Sequence, residues 1–545
     1  MKRTQGTTNI VSTNDERRSL STELQLSDWK EDLFDLSRRF AQLQLRVNQI
    51  EEQIKKYFIS LEGGQFSFSS ALRYNCQSAF KQNRRAFELC LQRLEKTTKA
   101  YGGDYSIAED GARLTSEFRE EYRWFLHMFG ALATSLDWQT IAYESSTRPN
   151  IFRFEEEYGY RGILGYKRVH YPALYQFERD FLGEFYDTPP NKEYCSLLTS
   201  SGMGAYTVVE GMLTRDILEP GDAIVYSSRC YFETRDQLTK LKGFRLVPAH
   251  GDTTDSLVAA VKEYSPRALF VEPITNEETI RVVDLAKLLD QLNQCTYERD
   301  VFCVIDLSMF GGGTQPLTSF AHTNPKLHVI LIESLLKYRQ HGTDKVNAGI
   351  VISDRRFFRD LFIQRERTGT TLADTQLAML PVVTREMHDW RMQRIARNAD
   401  VFSRELSRRL QDVTSCEVNY PMLPHHIDRS VALKYDWVGG VITARIAVGN
   451  TVPLYLEVIR CILEFAREQS IEINHGTSFG FDVSRVAIAA TGGGIHTAPF
   501  LRFSIGLEPL DTIYKIARVV EQGIRVGIER GQASHQSADF VGKGL

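Results

Sequence analysis

Apolar residues recur between Trp29 and Tyr57 at alternating steps of four and three: Trp29, Leu33, Leu36, Phe40, Leu43, Val47, Ile50, Ile54 and Tyr57. That spacing predicts an amphipathic helix with a heptad stripe, begun at Asp28 and Glu31 and stopped by Gly63-Gly64. A second helical pattern runs from about Ser70 to Tyr101 with Leu72, Cys76, Phe80, Phe87, Leu91 and Leu94, and ends at Gly102-Gly103. A third carries Leu114, Phe118, Tyr122, Phe125, Phe129, Leu132 and Leu136. Three amphipathic helices divided by double glycines predict an antiparallel hairpin or three-helix bundle over residues 1–145. Such a bundle packs on its own subunit or its dimer mate, or docks a partner protein.

From residue 146 the texture changes. Ala223–Tyr226, Phe244–Val247, Ala268–Val271, Val301–Ile305, His328–Ile332 and Ala348–Ile352 are short apolar runs that predict buried strands. Helical patterns such as Asp255–Lys262 and Val283–Leu292 lie between several of them. Strands alternating with helices predict an α/β domain with a mostly parallel sheet over residues 146–385. A long helical stretch then precedes alternating segments at Gly440–Ile446 and Leu501–Ile505, which suits a smaller α+β domain over residues 386–545. Residues from about Gln532 are polar and are expected to fray.

Composition narrows the class. At 545 residues the chain exceeds one compact domain, and its net charge of −3 gives no electrostatic footprint for nucleic acid or an anionic membrane. Residues 1–25 lack a hydrophobic signal core and no run of eighteen apolar residues occurs, so the cytoplasm is the default expectation. The eight cysteines show no CxxC pair, which predicts neither a metal site nor a disulfide framework. Buried free thiols are expected at Cys90, Cys303 and Cys461.

Two residues carry the candidate chemistry. Asp306 ends the run Val301–Ile305, and Lys337 follows the run Leu327–Ser334. Ligands collect where the strands of open α/β sheets end. A buried carboxylate able to hold a protonated ring nitrogen, and a lysine able to form a Schiff base, are what a protein must supply to pyridoxal phosphate. Ser201-Gly202-Met203-Gly204 lies between a strand-like Tyr194–Leu198 and a helix-like Tyr206–Leu213. A glycine turn opening a helix presents free N–H groups to a phosphate.

From about Tyr158 to Glu508 these segments resemble, in order, the Cys/Met-metabolism family of fold-type-I pyridoxal-phosphate enzymes, which includes cystathionine synthases and lyases and methionine γ-lyases. Tyr166-Lys-Arg168 resembles the segment whose tyrosine and arginine reach the cofactor phosphate of the neighbouring subunit, and Ser201-Gly202-Met203 the phosphate turn. Tyr231-Phe-Glu-Thr234 resembles Tyr-Gly-Gly-Thr, whose ring stacks on the pyridine. Glu272-Pro-Ile-Thr-Asn276 resembles the stretch whose asparagine bonds the ring oxygen. Asp306-Leu-Ser308 stands for Asp-Asn-Thr, and Ser334-Leu-Leu-Lys337-Tyr338 for Ser-Ala-Thr-Lys-Tyr. Arg391-Met392 with Asn398-Ala399 matches the helix that opens the small domain. Leu501-Arg502 to Glu508 resembles the motif whose arginine binds the substrate carboxylate, and Ser478 the serine of a nearby turn.

The resemblance implies Lys337, Asp306 and Tyr231 as catalytic residues. It implies Ser201, Gly202, Met203, Tyr166, Arg168, Asn276, Ser308 and Ser334, with those three, around pyridoxal 5'-phosphate, and Arg502 and Ser478 around a small amino-acid substrate. It also implies a homodimer or homotetramer with active sites shared across the dimer. The expected reaction is elimination or replacement at the β or γ carbon of an amino acid, commonly with sulfur leaving or attacking. An aminotransferase would share Asp306 and Lys337, and a silent scaffold for the bundle would bind cofactor weakly and leave substrates unchanged. Three departures stand out: Leu336 replaces a phosphate-binding threonine, His341-Gly342 reverses Gly-His, and Glu333 and Arg339 put charge beside the lysine. These are expected to alter the pocket.

Overall fold

The computed structural model describes residues 14–62, 70–100, 108–135, 171–251, 253–413, 415–447, 450–489 and 498–541. It divides into two compact units, one of Met1–Leu126 with Pro509–Tyr514 and one of His127–Glu508 with Lys515–Leu545.

The first unit is built on α1 (Asn14–Glu62), α2 (Ser70–Ala100) and α3 (Ala108–Ser135), the last of which continues into the second unit. The heptad stripe of α1 is buried from Trp29 to Ile54, with Leu36, Phe40 and Val47 fully so. Its rings interlock: Phe40 lies 5.9 Å from Phe87 and 5.6 Å from Tyr122, and Phe87 lies 5.1 Å from Phe125. Glu51 pairs with Arg84, and Glu121 with Arg93, so successive helices run in opposite directions. Charge enters this core in pairs, Arg39 with Asp35 at 2.6 Å and Arg119 with Asp32 at 3.3 Å. The helix begins at Asn14 rather than near Asp28. No proline or glycine interrupts Asn14–Asp28, so Asp28 is an interior residue and not a cap.

The second unit contains a seven-stranded sheet in the order β1-β7-β6-β5-β4-β2-β3. Its strands are β1 (Tyr194–Thr199), β2 (Ala223–Ser227), β3 (Arg245–Ala249), β4 (Ala268–Val271), β5 (Val301–Asp306), β6 (Leu327–Ser334) and β7 (Gly349–Asp354). The apolar runs are buried nearly throughout, as strands covered on both faces require. Neighbours from β3 to β6 are parallel, while β7 runs against both β1 and β6. The start of β7 at Gly349 therefore meets the ends of β1 at Thr199 and β6 at Ser334. One edge of the sheet gathers Thr199, Asp306, Ser334 and Gly349.

A five-stranded sheet follows, in the order β10-β11-β12-β9-β8, with β8 (Cys416–Asn419), β9 (Val441–Ile446), β10 (Asn474–His475), β11 (Arg485–Ala489) and β12 (Phe500–Ser504). The helix Arg385–Arg409 joins it to the first sheet's domain: Arg391 pairs with Asp482 and donates to the Gly480 carbonyl at 2.7 Å, and Asn398 donates to the carbonyls of Gly506 and Glu508. The final helix runs from Leu510 to Val541, past the expected fraying point at Gln532. No glycine or proline lies between Gly531 and Gly542 to stop it.

Among the described residues no helix is long and apolar enough to cross a membrane, and no three His, Cys, Asp or Glu side chains group as metal ligands. Cys90, Cys303 and Cys461 are buried free thiols.

Candidate active site

Crowding at two glycines builds the floor of the site. Gly202 opens the helix Gly202–Met212 directly against the end of β6, where an added Cβ would lie 2.7 Å from the Ser334 Cβ. At Gly349 a Cβ would meet the Ser201 carbonyl oxygen at 2.2 Å. Only glycine allows the helix N-terminus to sit this close to the strand ends. Ser201 caps the helix by accepting from the Gly204 N–H at 2.8 Å, which leaves the amides of Gly202 and Met203 free of that cap.

Asp306 and Ser308 are locked together beside it. The Asp306 carboxylate accepts from the Ser308 N–H at 2.8 Å, and the Ser308 hydroxyl accepts from the Ser334 N–H at 2.7 Å. Burial, with the Glu333 charge behind it, holds the Asp306 carboxyl above the usual carboxylate range. No ion pair relieves it among the described residues.

Lys337 follows β6 at the head of the short turn Tyr338–Gln340, with backbone angles φ −88° and ψ −92°. Its ammonium donates to the Ser478 hydroxyl at 2.9 Å and lies 5.2 Å from the centre of the Phe479 ring. Burial pushes it below its ordinary 10.5, and nearby Arg502 works in the same direction against Asp344. Arg502 projects from β12, buried, donating to the Asn276 side-chain oxygen at 3.1 Å. Its Nε is buried without a partner among the described residues, and burial lowers the guanidinium to about 10. Tyr231 precedes the helix Phe232–Lys240, and burial, then the adjacent Glu233 carboxylate, pushes its phenol up to about 12.

All of these groups face one cavity of about 620 Å³, which Ser201, Gly202, Met203, Tyr231, Asn276, Asp306, Ser308, Ser334, Lys337 and Arg502 help to line. Ser478 reaches it through Lys337. Tyr166 and Arg168 lie outside the described residues. Leu336 lines the cavity, so an apolar side chain stands where a hydroxyl is usual in the resembling motif.

The expectation for Glu333 and Arg339 is corrected. Arg339 donates to Glu333 at 2.7 Å and stacks over the Phe185 ring at 4.4 Å, and the Tyr186 hydroxyl donates to Glu333 at 2.6 Å. The two charges close on each other, and neither lines the cavity. Glu233, Phe479 and Asp344 were not singled out from sequence. Glu233 lay in the Tyr231–Thr234 motif itself, where a charged side chain beside the stacking tyrosine was the available signal.

This chain belongs to the Cys/Met metabolism PLP-dependent enzyme family, whose pattern it matches over residues 139–515. It is 27% identical over 442 residues to the bifunctional enzyme flvA of Aspergillus flavus. That match covers 78% of this chain, which spans about half (51%) of that protein's length. Its fold is similar to cystathionine γ-synthase from Xanthomonas oryzae pv. oryzae, with a TM-score of 0.54 and 19% identity over 71% of this chain and 92% of that one. Methionine γ-lyase CalE6 from Micromonospora echinospora gives a TM-score of 0.53 and 20% identity, with the same coverage.

The residues present fit the cofactor. The tight approach at Gly202 gives amides to a phosphate, the unrelieved carboxylate of Asp306 suits a ring N–H, and Lys337 lines the same cavity.

Proposed function

We propose that this chain is a lyase or transferase that eliminates or replaces a group at the β or γ carbon of an amino acid, sulfur-bearing side chains being prime candidates. The observation that carries this reading is the convergence of Lys337, Asp306, Arg502 and the Gly202 helix terminus on one cavity. When bound, pyridoxal phosphate supplies an electron sink for negative charge developing at Cα.

The chain's own residues then divide the work. Lys337 would hold the cofactor covalently and move the Cα proton; burial lowers its basicity, which favours the neutral amine this requires, and Ser478 aims it. Asp306 accepts from the protonated ring nitrogen, which offsets the cost of burying its charge. The amides of Gly202 and Met203, with the hydroxyls of Ser201 and Ser334, hold the phosphate, and Ser308 braces Asp306 against Ser334. Tyr231 would cover one face of the ring, and Asn276 would serve its oxygen side. Arg502 grips the substrate carboxylate with the guanidinium edge that lacks a partner, which points the Cα–H towards Lys337. A β leaving group departs after one deprotonation, whereas a γ leaving group needs a second at Cβ. Lys337 serves either route.

We assign Tyr166 and Arg168 to the phosphate of a partner subunit, in a homodimer or homotetramer. The bundle of residues 14–126 is then a module for subunit packing or for docking another protein.

The test is to incubate the purified, cofactor-loaded protein with amino acids carrying β or γ leaving groups and to follow ammonia, 2-oxo acid and thiol. Release of these products is expected. Formation of pyridoxamine phosphate without ammonia would make it an aminotransferase, and no change in any substrate would make it a scaffold. Sharing is tested by mixing inactive Arg168→Ala and Lys337→Ala subunits. Recovered activity is expected, and none after proven subunit exchange would return Arg168 to its own subunit.

A further inference from the structure

Once the amino-acid end of a substrate is placed, two carboxylates of the cavity wall are left over besides the Arg235–Glu277 pair: Glu272, buried just after β4, and the more open Glu233. Lys337 and Arg502 serve the amine and carboxylate ends, and Asp306 serves the cofactor ring. Arg235 donates to the Ser228 carbonyl at 3.0 Å and pairs with Glu277 at 3.2 Å. Glu233, in the first turn of the helix Phe232–Lys240, lines the same cavity, half-buried, and has no ion pair among the described residues. Its charge is felt at both Tyr231 and Lys337, so it stands within reach of whatever occupies the space between them.

The remaining wall explains what such a carboxylate is for. Phe232, Phe479, Phe500 and Ile488 line the cavity with it, so Glu233 is set among apolar and aromatic surface. A distal carboxylate or phosphate on a substrate would be repelled there, and Arg235, the further cation lining the cavity among the described residues, is committed to Ser228 and Glu277. A cation flanked by carbon gains from both features, through Coulomb attraction to Glu233 and through the faces of the rings.

We propose that Glu233 makes this site selective for amino acids whose side chain ends in a cationic group, a sulfonium or an alkylammonium, over those ending in a carboxylate or phosphate. The inference rests on reading the cavity as an amino-acid site. It is a specificity role: Glu233 acts on the distal end of the substrate and takes no part in the proton transfer assigned to Lys337. A sulfonium at Cγ would leave as a neutral thioether, its sulfur keeping the bonding electron pair and needing no proton, so the acidic wall acts on binding and not on departure.

The test measures affinity ahead of turnover. Full-length protein loaded with pyridoxal phosphate is mixed rapidly with S-methyl-L-methionine, L-methionine or L-2-aminoadipate, and the cofactor's absorbance change that precedes product formation is titrated against ligand concentration. The sulfonium should bind most tightly and the aminoadipate least, with the extremes roughly tenfold or more apart. Glu233→Gln should bring those extremes within about threefold, whereas Glu233→Asp, which keeps the charge, should retain the order. A Glu233 that only complements the helix dipole would leave the ligand order unmoved by Glu233→Gln, and that result overturns the proposal. So does equal binding of the sulfonium and the aminoadipate by the wild type. If L-methionine binds without any charge preference, this inference alone fails; if none of the three binds, the amino-acid reading of the cavity fails with it.

Discussion

Arg339 and Arg502 are both buried arginines near Lys337, yet their surroundings are opposite. Arg339 is saturated: Glu333 accepts from it, Phe185 lies under it, and Tyr186 completes the carboxylate, so burial is outweighed and the guanidinium is held above its usual range. Among the described residues Arg502 has a single amide oxygen for a partner and a buried Nε with none, and burial drags it down to about 10. A buried charge whose partner is in the chain stabilises structure, and one left open is available to a ligand. The same contrast separates the closed Glu333 from the unrelieved Asp306.

Breaking the closed pair should give the largest effect on stability. Glu333→Ala leaves the Arg339 guanidinium buried without its carboxylate, which should cost about 3–5 kcal/mol in urea unfolding. Protein that remains folded should still take up pyridoxal phosphate. Opening the other side should act on the ligand instead. Arg502→Ala should weaken amino-acid binding by about 2–4 kcal/mol, read as a rise in KM or Kd, with thermal stability unchanged or improved. A stability loss at Arg502 equal to that at Glu333 would erase the comparison.

The pH response sharpens it further. Burial lowers Lys337 below its ordinary 10.5, so between the two values the unfolded chain binds more protons than the folded one. Stability of the cofactor-free protein should therefore rise as pH climbs through the folded value towards 10.5. The cost of a buried ammonium is present below that window and relieved above it. Lys337→Met should flatten this rise, which paired unfolding curves at several pH values would record. The smallest effect is expected at Ser478, whose hydroxyl only aims Lys337. Ser478→Ala should lower kcat by about fivefold, one neutral-range hydrogen bond being worth roughly 1 kcal/mol.

What could be read from sequence follows from how local each signal is. Asp306, Lys337 and the Gly202 turn sit at the ends of apolar runs, and an apolar run followed by a polar or glycine residue is visible within ten positions. Strand direction is not, which is why β7 at the inner flank of β1 was expected only as another strand of a mostly parallel sheet. The partnership of Arg339 with Tyr186 and Phe185 spans some 150 residues, and Asn276 meets Arg502 across 226. No periodicity encodes such distances, so Glu333 and Arg339 looked like charges at the pocket when they are a sealed pair. In α1 the heptad stripe marked the buried face correctly from Trp29, but Asp28 and Glu31 resembled a cap because acidic residues favour helix starts; Asp28 is instead buried within the helix and accepts from the Leu510 N–H at 3.0 Å.

The central claim is that the open groups of this cavity, and Lys337 above all, exist to hold the cofactor. Reduction of the protein with borohydride in the presence of pyridoxal phosphate, followed by peptide mapping, tests it most directly. The account predicts a single phosphopyridoxyl label on the peptide containing Lys337, lost in Lys337→Ala protein that retains its helical and sheet signals. A label on another lysine, or its persistence in Lys337→Ala, would contradict it.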